Sequence, residues 1–190
     1  MIVVVGVLLG VVGCGEKAAA PSAAQRQRAK AAGFDVDLVY VTEVDGYQLA
    51  AGGSGVYGDA GYQAIYASPR GDDLRLTVER RSLDAATCAR LSLPGAEPAA
   101  AVVQCTREGD GWRRVAGDRR EYAIAQGDRL VRVSGTTAAT TAEMVRSAAV
   151  EARPATADEL EALLPPASSV VERGDVEGDN APDNGVGAGG

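Results

Sequence analysis

Alternation of hydrophobic and polar residues dominates the chain between residues 34 and 134, and it predicts β-strands. The first such stretch places Val36, Leu38 and Tyr40 on one side of a strand. The clearest stretch is residues 74–79, in which aliphatic residues alternate with polar ones. We expect the aliphatic side of this strand to face a core and its polar side to face water.

Glycine-containing turns divide this region into paired strands. Residues 56–57 and 62–68 flank a Gly-Asp-Ala-Gly segment, a pattern typical of a β-hairpin. Two Gly-Asp-Arg triplets, at Gly117 and Gly127, mark further tight turns. The predicted strands around them are residues 102–106, 112–115, 120–125 and 129–134. These four strands are therefore predicted to form an antiparallel meander, which follows a short helical turn at residues 82–90 and a loop.

Two helices are predicted after the strands. Residues 140–143 and 156–159 both match the capping box, in which a threonine and a glutamate satisfy free backbone donors at a helix start. The first helix runs to about Ala152, before Pro154, and the second ends at residues 165–166, which are both proline. Strands followed by helices predict an α+β fold, with both helices packed on one face of an antiparallel sheet.

The N-terminus has the pattern of an export signal. Residues 1–12 contain only apolar residues and glycine, which is too short to span a bilayer but fits the hydrophobic region of a signal peptide. Residues 11–14, Val-Val-Gly-Cys, resemble a bacterial lipobox. This resemblance implies cleavage before Cys14 and a diacylglyceryl group on its sulfur. The segment departs from the pattern because no Lys or Arg follows Met1; a buried first β-strand is the alternative.

The sequence predicts one folded domain between two non-globular ends. Residues 1–13 are the predicted lipoprotein signal peptide, and residues 14–33 are the lipidated cysteine with a flexible tether, because they contain no large apolar residue. Residues 34–166 form the single α+β domain. Residues 167–190 are an acidic, glycine-rich tail that we expect to be disordered.

Charge argues against nucleic acid as a partner. The formal net charge is -7, and acidic residues are concentrated between positions 172 and 183 of the tail. No long run of Lys or Arg occurs, although nucleic-acid binding requires a clustered basic surface.

Cysteine and histidine counts restrict the chemistry. With Cys14 assigned to lipidation, Cys88 and Cys105 remain as a pair that forms a disulfide in an oxidising compartment; two reduced, buried thiols are the alternative. The chain has no histidine, which excludes histidine-dependent triads and zinc sites of that type. We predict no cofactor and no metal.

Three arginine doublets are the candidate binding residues. They lie at predicted strand ends or turns and are Arg80, Arg81, Arg113, Arg114, Arg119 and Arg120. Arginines at these positions favour protection of strand edges against aggregation, and a shared anion-binding edge is the alternative. Four carboxylates, Asp72, Asp73, Glu79 and Glu121, are candidates for the acid pair of a histidine-free hydrolase.

Other patterns allow a second interpretation. Four aromatic residues, Tyr57, Tyr62, Tyr66 and Trp112, form either a glycan-stacking surface or cross-strand core pairs. Residues 53–58 match G-x-G-x-x-G, but a β-rich segment follows where dinucleotide binding requires a helix. In the tail, Asn180 and Val186 stand where a calcium loop needs glycine and glutamate.

The segments DGW, GDR, EYA, DRLVR and ATADELEALLPP, with the lipobox and the cysteine pair, resemble uncharacterised membrane lipoproteins of high-GC Gram-positive (actinobacterial) bacteria. The resemblance implies a lipid-anchored protein on the extracytoplasmic face of the cell membrane. We expect a non-catalytic domain that binds an envelope protein or a cell-wall polymer. A carboxylate-based envelope hydrolase and a structural spacer or regulatory accessory protein are the alternatives.

Overall fold

The computed structural model describes residues 20–166, and their fold is α+β, as the sequence predicts. The helices are α1 (Ala23–Ala31), α2 (Ala142–Glu151) and α3 (Ala157–Leu163), with a 3-10 turn at Val36–Leu38. The strands are β1 (Tyr40–Val41), β2 (Gln48–Tyr57), β3 (Gly61–Ala67), β4 (Asp73–Glu79), β5 (Gln104–Glu108), β6 (Gly111–Ala116), β7 (Arg119–Gln126), β8 (Arg129–Thr136) and β9 (Arg153–Pro154). The predicted signal peptide, Cys14 and the acidic tail lie outside the described residues.

Seven strands form one antiparallel sheet in the order β2-β3-β4-β8-β7-β6-β5, and β1 pairs with β9 separately. The predicted hairpin and the predicted meander are both confirmed. Gly117 shows why the turns need glycine: its φ is 53°, and a Cβ there would lie 2.1 Å from the Glu97 carbonyl oxygen.

The main core lies between the sheet and the two C-terminal helices. Six side chains on this face of the sheet are completely buried, namely Tyr62, Leu74, Leu76, Val78, Val131 and Val133. Helix α2 covers β7 and β8 with Val145, Ala148 and Ala149, which are at most 1% exposed. Burying a large aliphatic side chain contributes roughly 1.5–3 kcal/mol, so this face holds the domain together.

The prediction that residues 14–33 include a flexible tether is wrong for Ala23–Ala31, which form α1. Ser22 and Gln25 make a capping box at its start, and Ala29 is completely buried. The helix is fixed by hydrogen bonds to α3 and the residues after it: Gln25 Nε2 donates to the Ala157 carbonyl at 2.9 Å, and Arg28 Nε donates to the Pro165 carbonyl at 2.8 Å. The folded unit therefore begins before Phe34. Polar contacts, not large apolar side chains, attach α1 to the rest of the domain.

The first predicted strand is also wrong over most of its length. The Asp35 carboxylate accepts a hydrogen bond from the backbone nitrogen of Asp37 at 2.9 Å and caps a 3-10 turn. Val36, Leu38, Val39 and Tyr40 are all buried, so both sides of this segment contact the core. A period of two does not describe it, and only Tyr40–Val41 remains extended.

Helix α2 begins one residue later than the capping-box match predicts. Thr141 is the N-cap, and its hydroxyl accepts from the Met144 backbone nitrogen at 3.0 Å. Thr140 is buried instead, and its hydroxyl donates to the Thr136 carbonyl at 2.7 Å. The capping box of α3, between Thr156 and Glu159, is confirmed.

The ion pair between Glu159 and Arg153 should make the stability of the fold depend on pH. Arg153 binds its carboxylate through two nitrogens, at 2.8 and 2.9 Å, and lowers its pKa from 4.5 to about 2. A carboxylate with a lowered folded-state pKa stabilises the fold above its unfolded pKa, and this stabilisation is lost as the pH falls from about 4.5 towards 2. Because the pair is partly exposed, we expect it to contribute about 1 kcal/mol at neutral pH.

The test is urea unfolding of Glu159→Gln at pH 7 and at pH 2, since glutamine keeps the cap and removes the charge. We expect the variant to be less stable at pH 7, with the difference reduced to a small remainder at pH 2, about the folded-state pKa of Glu159. Glu143→Gln, at a side chain that is 74% exposed, is the control. A stability difference for Glu159→Gln that is the same at both pH values would contradict the prediction.

Candidate functional site: a strap over the charged face of the sheet

The side of the sheet opposite the helices carries a buried ionic network. Arg114 lies directly across from Glu121, and Arg132 lies across from Ala123, two residues further along the same strand. Opposed residues share a side of an antiparallel sheet, so all three charged side chains point the same way. Each is at most 1% exposed. We call this side the charged face.

The network is built on Glu121. Arg132 donates to its Oε2 atom through Nε at 3.1 Å and Nη2 at 2.9 Å, while Arg114 Nη1 pairs with the Oε1 atom. Arg132 Nη1 also donates to Glu79 Oε1 at 3.2 Å and to the Tyr57 hydroxyl at 3.3 Å. Glu79 is shared, because Arg81 Nε lies 3.2 Å from its other oxygen.

Burial and ion pairing act in opposite directions on the two buried guanidinium groups. For Arg114 burial outweighs the attraction of Glu121, so its pKa is lowered. For Arg132 burial also opposes the charged form, but Glu121 and Tyr57 outweigh it and raise the pKa. Glu121 therefore offsets part of the cost of burying both guanidinium groups.

A long segment without helices or strands covers this network. We call residues 80–103, between β4 and β5, the strap. Its backbone is fastened to the network: Arg132 Nη2 donates to the Ser92 carbonyl at 2.8 Å, and Arg114 Nη2 donates to the Leu91 carbonyl. Three residues of the strap, Leu93, Ala96 and Val103, form a second small core with Ala116 of β6.

The predicted disulfide is confirmed. Cys88 in the strap is bonded to Cys105 in β5, and their Cα atoms are 6.1 Å apart. Cys88 is completely buried, at the end of a helical turn in which its backbone nitrogen donates to the Asp84 carbonyl at 2.8 Å. The strap is thus fixed to the sheet covalently as well as by two arginines.

Residues of the strap line an open cavity of about 520 Å³. Its lining residues are Arg81, Ser82, Leu83, Thr87, Arg90, Leu91 and Ser92. The hydroxyls of Ser82 and Ser92 and the guanidinium of Arg90 make no hydrogen bond within residues 20–166. We call this the strap cavity; cationic and hydroxyl donors face it without partners, next to two leucines.

The six predicted arginines do not gather on one edge of the sheet. Neighbouring residues of a strand point to opposite sides, so each doublet within a strand is divided. Arg113 is exposed and pairs with Glu108 at 3.3 Å, whereas Arg114 is completely buried. Only Arg81 of the six lines the strap cavity.

The remaining predicted arginines have separate structural partners. Arg119 binds the Asp73 carboxylate through two nitrogens, at 3.0 and 2.7 Å. Arg120 donates to the Thr137 carbonyl at 3.1 Å. Arg80 bridges Asp35, at 2.8 Å, and Asp128 near the sheet end. These contacts join strands and turns to one another.

The four candidate carboxylates are all engaged by arginines. Glu121 and Glu79 belong to the buried network, and Asp73 is held by Arg119. Asp72 accepts from Arg70 Nε at 3.3 Å and from the Ser68 hydroxyl at 3.1 Å. No group of three or more potential metal ligands occurs in the described part of the chain.

The four aromatic residues lie on two different sides of the sheet. Tyr62 and Tyr66 are buried in the main core, where Tyr62 packs edge-on against Phe34 with ring centroids 5.6 Å apart. Tyr57 and Trp112 lie on the charged face, under Arg132 and Arg107 respectively. A single stacking surface of all four therefore does not form.

Two parts of the site were not predicted. Arg132 and Arg90 are central to the network and the cavity, yet neither belongs to a doublet. A signal for Arg132 exists: it stands between Val131 and Val133 in a predicted strand, which places its side chain on the side opposite to the two valines. The polar side of β4 was expected to face water, but Thr77, beside Arg132 in the next strand, is 2% exposed.

Comparison with known proteins identifies no family. No family model matches the chain, and no curated protein sequence matches it. A solved structure from Bacteroides thetaiotaomicron is similar over 63% of this chain at 7% identity, with a TM-score of 0.30. This chain spans 46% of the length of that one. Within residues 20–166, no helix is long and apolar enough to cross a membrane.

Proposed function

We propose that the chain is a lipid-anchored protein of the extracytoplasmic face of the cell membrane, whose domain binds an envelope partner without catalysis. The observation that carries the proposal is the Cys88–Cys105 disulfide. Disulfides persist in oxidising compartments outside the cytoplasm and are rare inside it. Export agrees with the lipobox-like residues before Cys14.

In this proposal, acyl chains on Cys14 attach the protein to the membrane. Two acyl chains give stable anchoring, at about 0.8 kcal/mol for each buried methylene group. The first described helix, α1, begins at Ala23, close behind the proposed attachment point in the sequence. The domain is therefore held near the membrane surface in this proposal.

The strap is the proposed binding element. Long connections without secondary structure are uncommon in compact domains and commonly carry function. This one is fastened by a disulfide and by the carbonyls of Leu91 and Ser92, so its conformation is set before a partner arrives. A preformed surface loses less conformational entropy on binding.

The anchor is tested by fractionating actinobacterial cells that express the native chain or Cys14→Ser. We expect the native protein in the membrane fraction, with an intact mass that begins at Cys14 and includes a lipid adduct. Cys14→Ser is expected in the soluble fraction. Native protein recovered at full length, soluble and with Met1 attached, would overturn the anchor.

Binding is tested by photo-crosslinking from the strap in membrane extracts, with a probe at Ala89 and a control probe at Ala138; both residues are exposed. We expect an envelope component to be captured from position 89 only. Equal capture from both positions, or turnover of the captured component by the domain, would contradict a non-catalytic binding function of the strap.

A further inference from the structure

We propose that the strap cavity binds a phosphate group carried by a sugar or polyol, as in a soluble or polymeric envelope phosphate. The inference rests on the proposed function and specifies the chemistry of its ligand. It follows from the donors that line the cavity, the local charge balance and the size of the space.

Three side chains that line the cavity carry hydrogen-bond donors that bind no acceptor within residues 20–166. Arg90 is exposed and makes no ion pair within 20–166, and the hydroxyls of Ser82 and Ser92 are also unengaged. A guanidinium binds phosphate through paired N–H groups, and hydroxyls donate to the remaining oxygens. A tetrahedral phosphate has enough acceptor oxygens for all three donors at once.

The charge around the cavity is not balanced by the protein. Two charged residues of the strap, Arg80 and Glu97, lie outside the cavity lining, and Arg80 is paired with Asp35 and Asp128. Arg81 and Arg90 line the cavity and Arg114 and Arg132 lie beneath it, against the carboxylates of Glu79, Glu121 and Asp84. These are four guanidinium groups and three carboxylates.

The deficit of negative charge lies at the rim. Glu79 is divided between Arg132 and Arg81, so Arg81 holds only part of one carboxylate. Asp84 is occupied by Thr87, whose hydroxyl and backbone nitrogen both donate to its Oδ1 atom at 2.8 Å. These hydrogen bonds lower the pKa of Asp84, with a smaller effect from Arg90. An anion bound between Arg81 and Arg90 supplies the missing charge.

The space is larger than a phosphate group needs. Cavities of roughly 300–1,000 Å³ accommodate small organic ligands, and the strap cavity is about 520 Å³. Leu83 and Leu91 provide apolar surface for the carbon skeleton of a sugar or polyol. A phosphate attached to such a skeleton fits the mixture of cationic, hydroxyl and apolar groups.

The test is calorimetric titration of the full chain carrying Cys14→Ser, which removes the acyl anchor. The probes are glycerol 3-phosphate and glucose 1-phosphate, with glucose as the uncharged control and phosphatidylglycerol vesicles as the lipid arm. We expect both phosphates to bind, more weakly at higher ionic strength, and glucose not to bind.

Two variants locate the site. Arg90→Gln is expected to weaken phosphate binding at least about tenfold, since a charge-assisted hydrogen bond is lost. Ser82→Ala is expected to weaken it by a smaller factor. Arg113→Gln, an exposed arginine on the opposite side of the sheet, is expected to leave binding unchanged. Both arginines are surface residues, so neither variant should disturb folding.

Equal binding by Arg90→Gln and the native chain would overturn the inference, as would binding to vesicles but to neither soluble phosphate. Failure here is distinguishable from failure of the proposed function. If no phosphate binds, yet the strap still crosslinks to an envelope component, the ligand assignment is wrong and the binding function is retained.

Discussion

Replacing Glu121 with glutamine is expected to lower the free energy of unfolding by about 3–5 kcal/mol, because it leaves two buried guanidinium groups without their shared carboxylate. Arg114 and Arg132 are completely buried at their side chains, and both pair with Glu121. Because glutamine has nearly the same shape as glutamate, the loss of stability comes from removing the charge and not from creating a cavity. The measurement is urea unfolding at pH 7.

An exposed carboxylate provides the matched control for this variant. Glu108 pairs with Arg113 at 3.3 Å and is 40% exposed, so Glu108→Gln is expected to change stability by less than about 1 kcal/mol. A loss for Glu121→Gln as small as that of the control would contradict the importance of the buried network.

Removing one of the two arginines as well should restore part of the loss. Arg114→Met combined with Glu121→Gln leaves Arg132 paired with Glu79, so the buried part of the network is again neutral. We expect the double variant to be more stable than Glu121→Gln alone, although the Leu91 carbonyl loses its donor. With the Arg114→Met single variant added, the double-mutant cycle is complete and measures the coupling between the two residues.

Local sequence patterns determine most of the sheet and are visible without a structure. The turns at Gly117 and Gly127 need positive φ, which glycine adopts freely, and they fix where strands end. The capping box of α3 is equally local. Strand alternation, turn residues and helix caps therefore predicted the α+β class correctly.

The errors arise where distant residues decide the outcome. Helix α1 has no large apolar residue and is held by contacts such as Arg28 to Pro165, which are remote in sequence. The alternation in β7 and β8 reveals two sides of each strand but not that the strap covers the polar one. For that reason Glu121 and Arg132 could be assigned to strands but not to a buried network.

Loss of the disulfide is the second large effect that the structure predicts. Cys88 and Cys105 close a loop with a sequence separation of 17, which is worth about 3 kcal/mol in the chain-entropy model. We expect Cys88→Ala with Cys105→Ala to lower the free energy of unfolding by about this amount in urea. Reductant should destabilise the native protein and leave the double variant unchanged.

The same variant separates two ways of holding the strap. Without the disulfide, the carbonyls of Leu91 and Ser92 are still bound by Arg114 and Arg132, so the strap should stay seated but open more frequently. Trypsin should then cut after Arg90 faster than in the native protein, while cleavage after Arg70, in the β3–β4 turn, serves as the control. Unchanged cleavage at Arg90 together with unchanged unfolding in urea would contradict a stabilising role for the disulfide. If the disulfide and the buried network both restrain the strap, adding Glu121→Gln to the double cysteine variant should increase the rate of cleavage further.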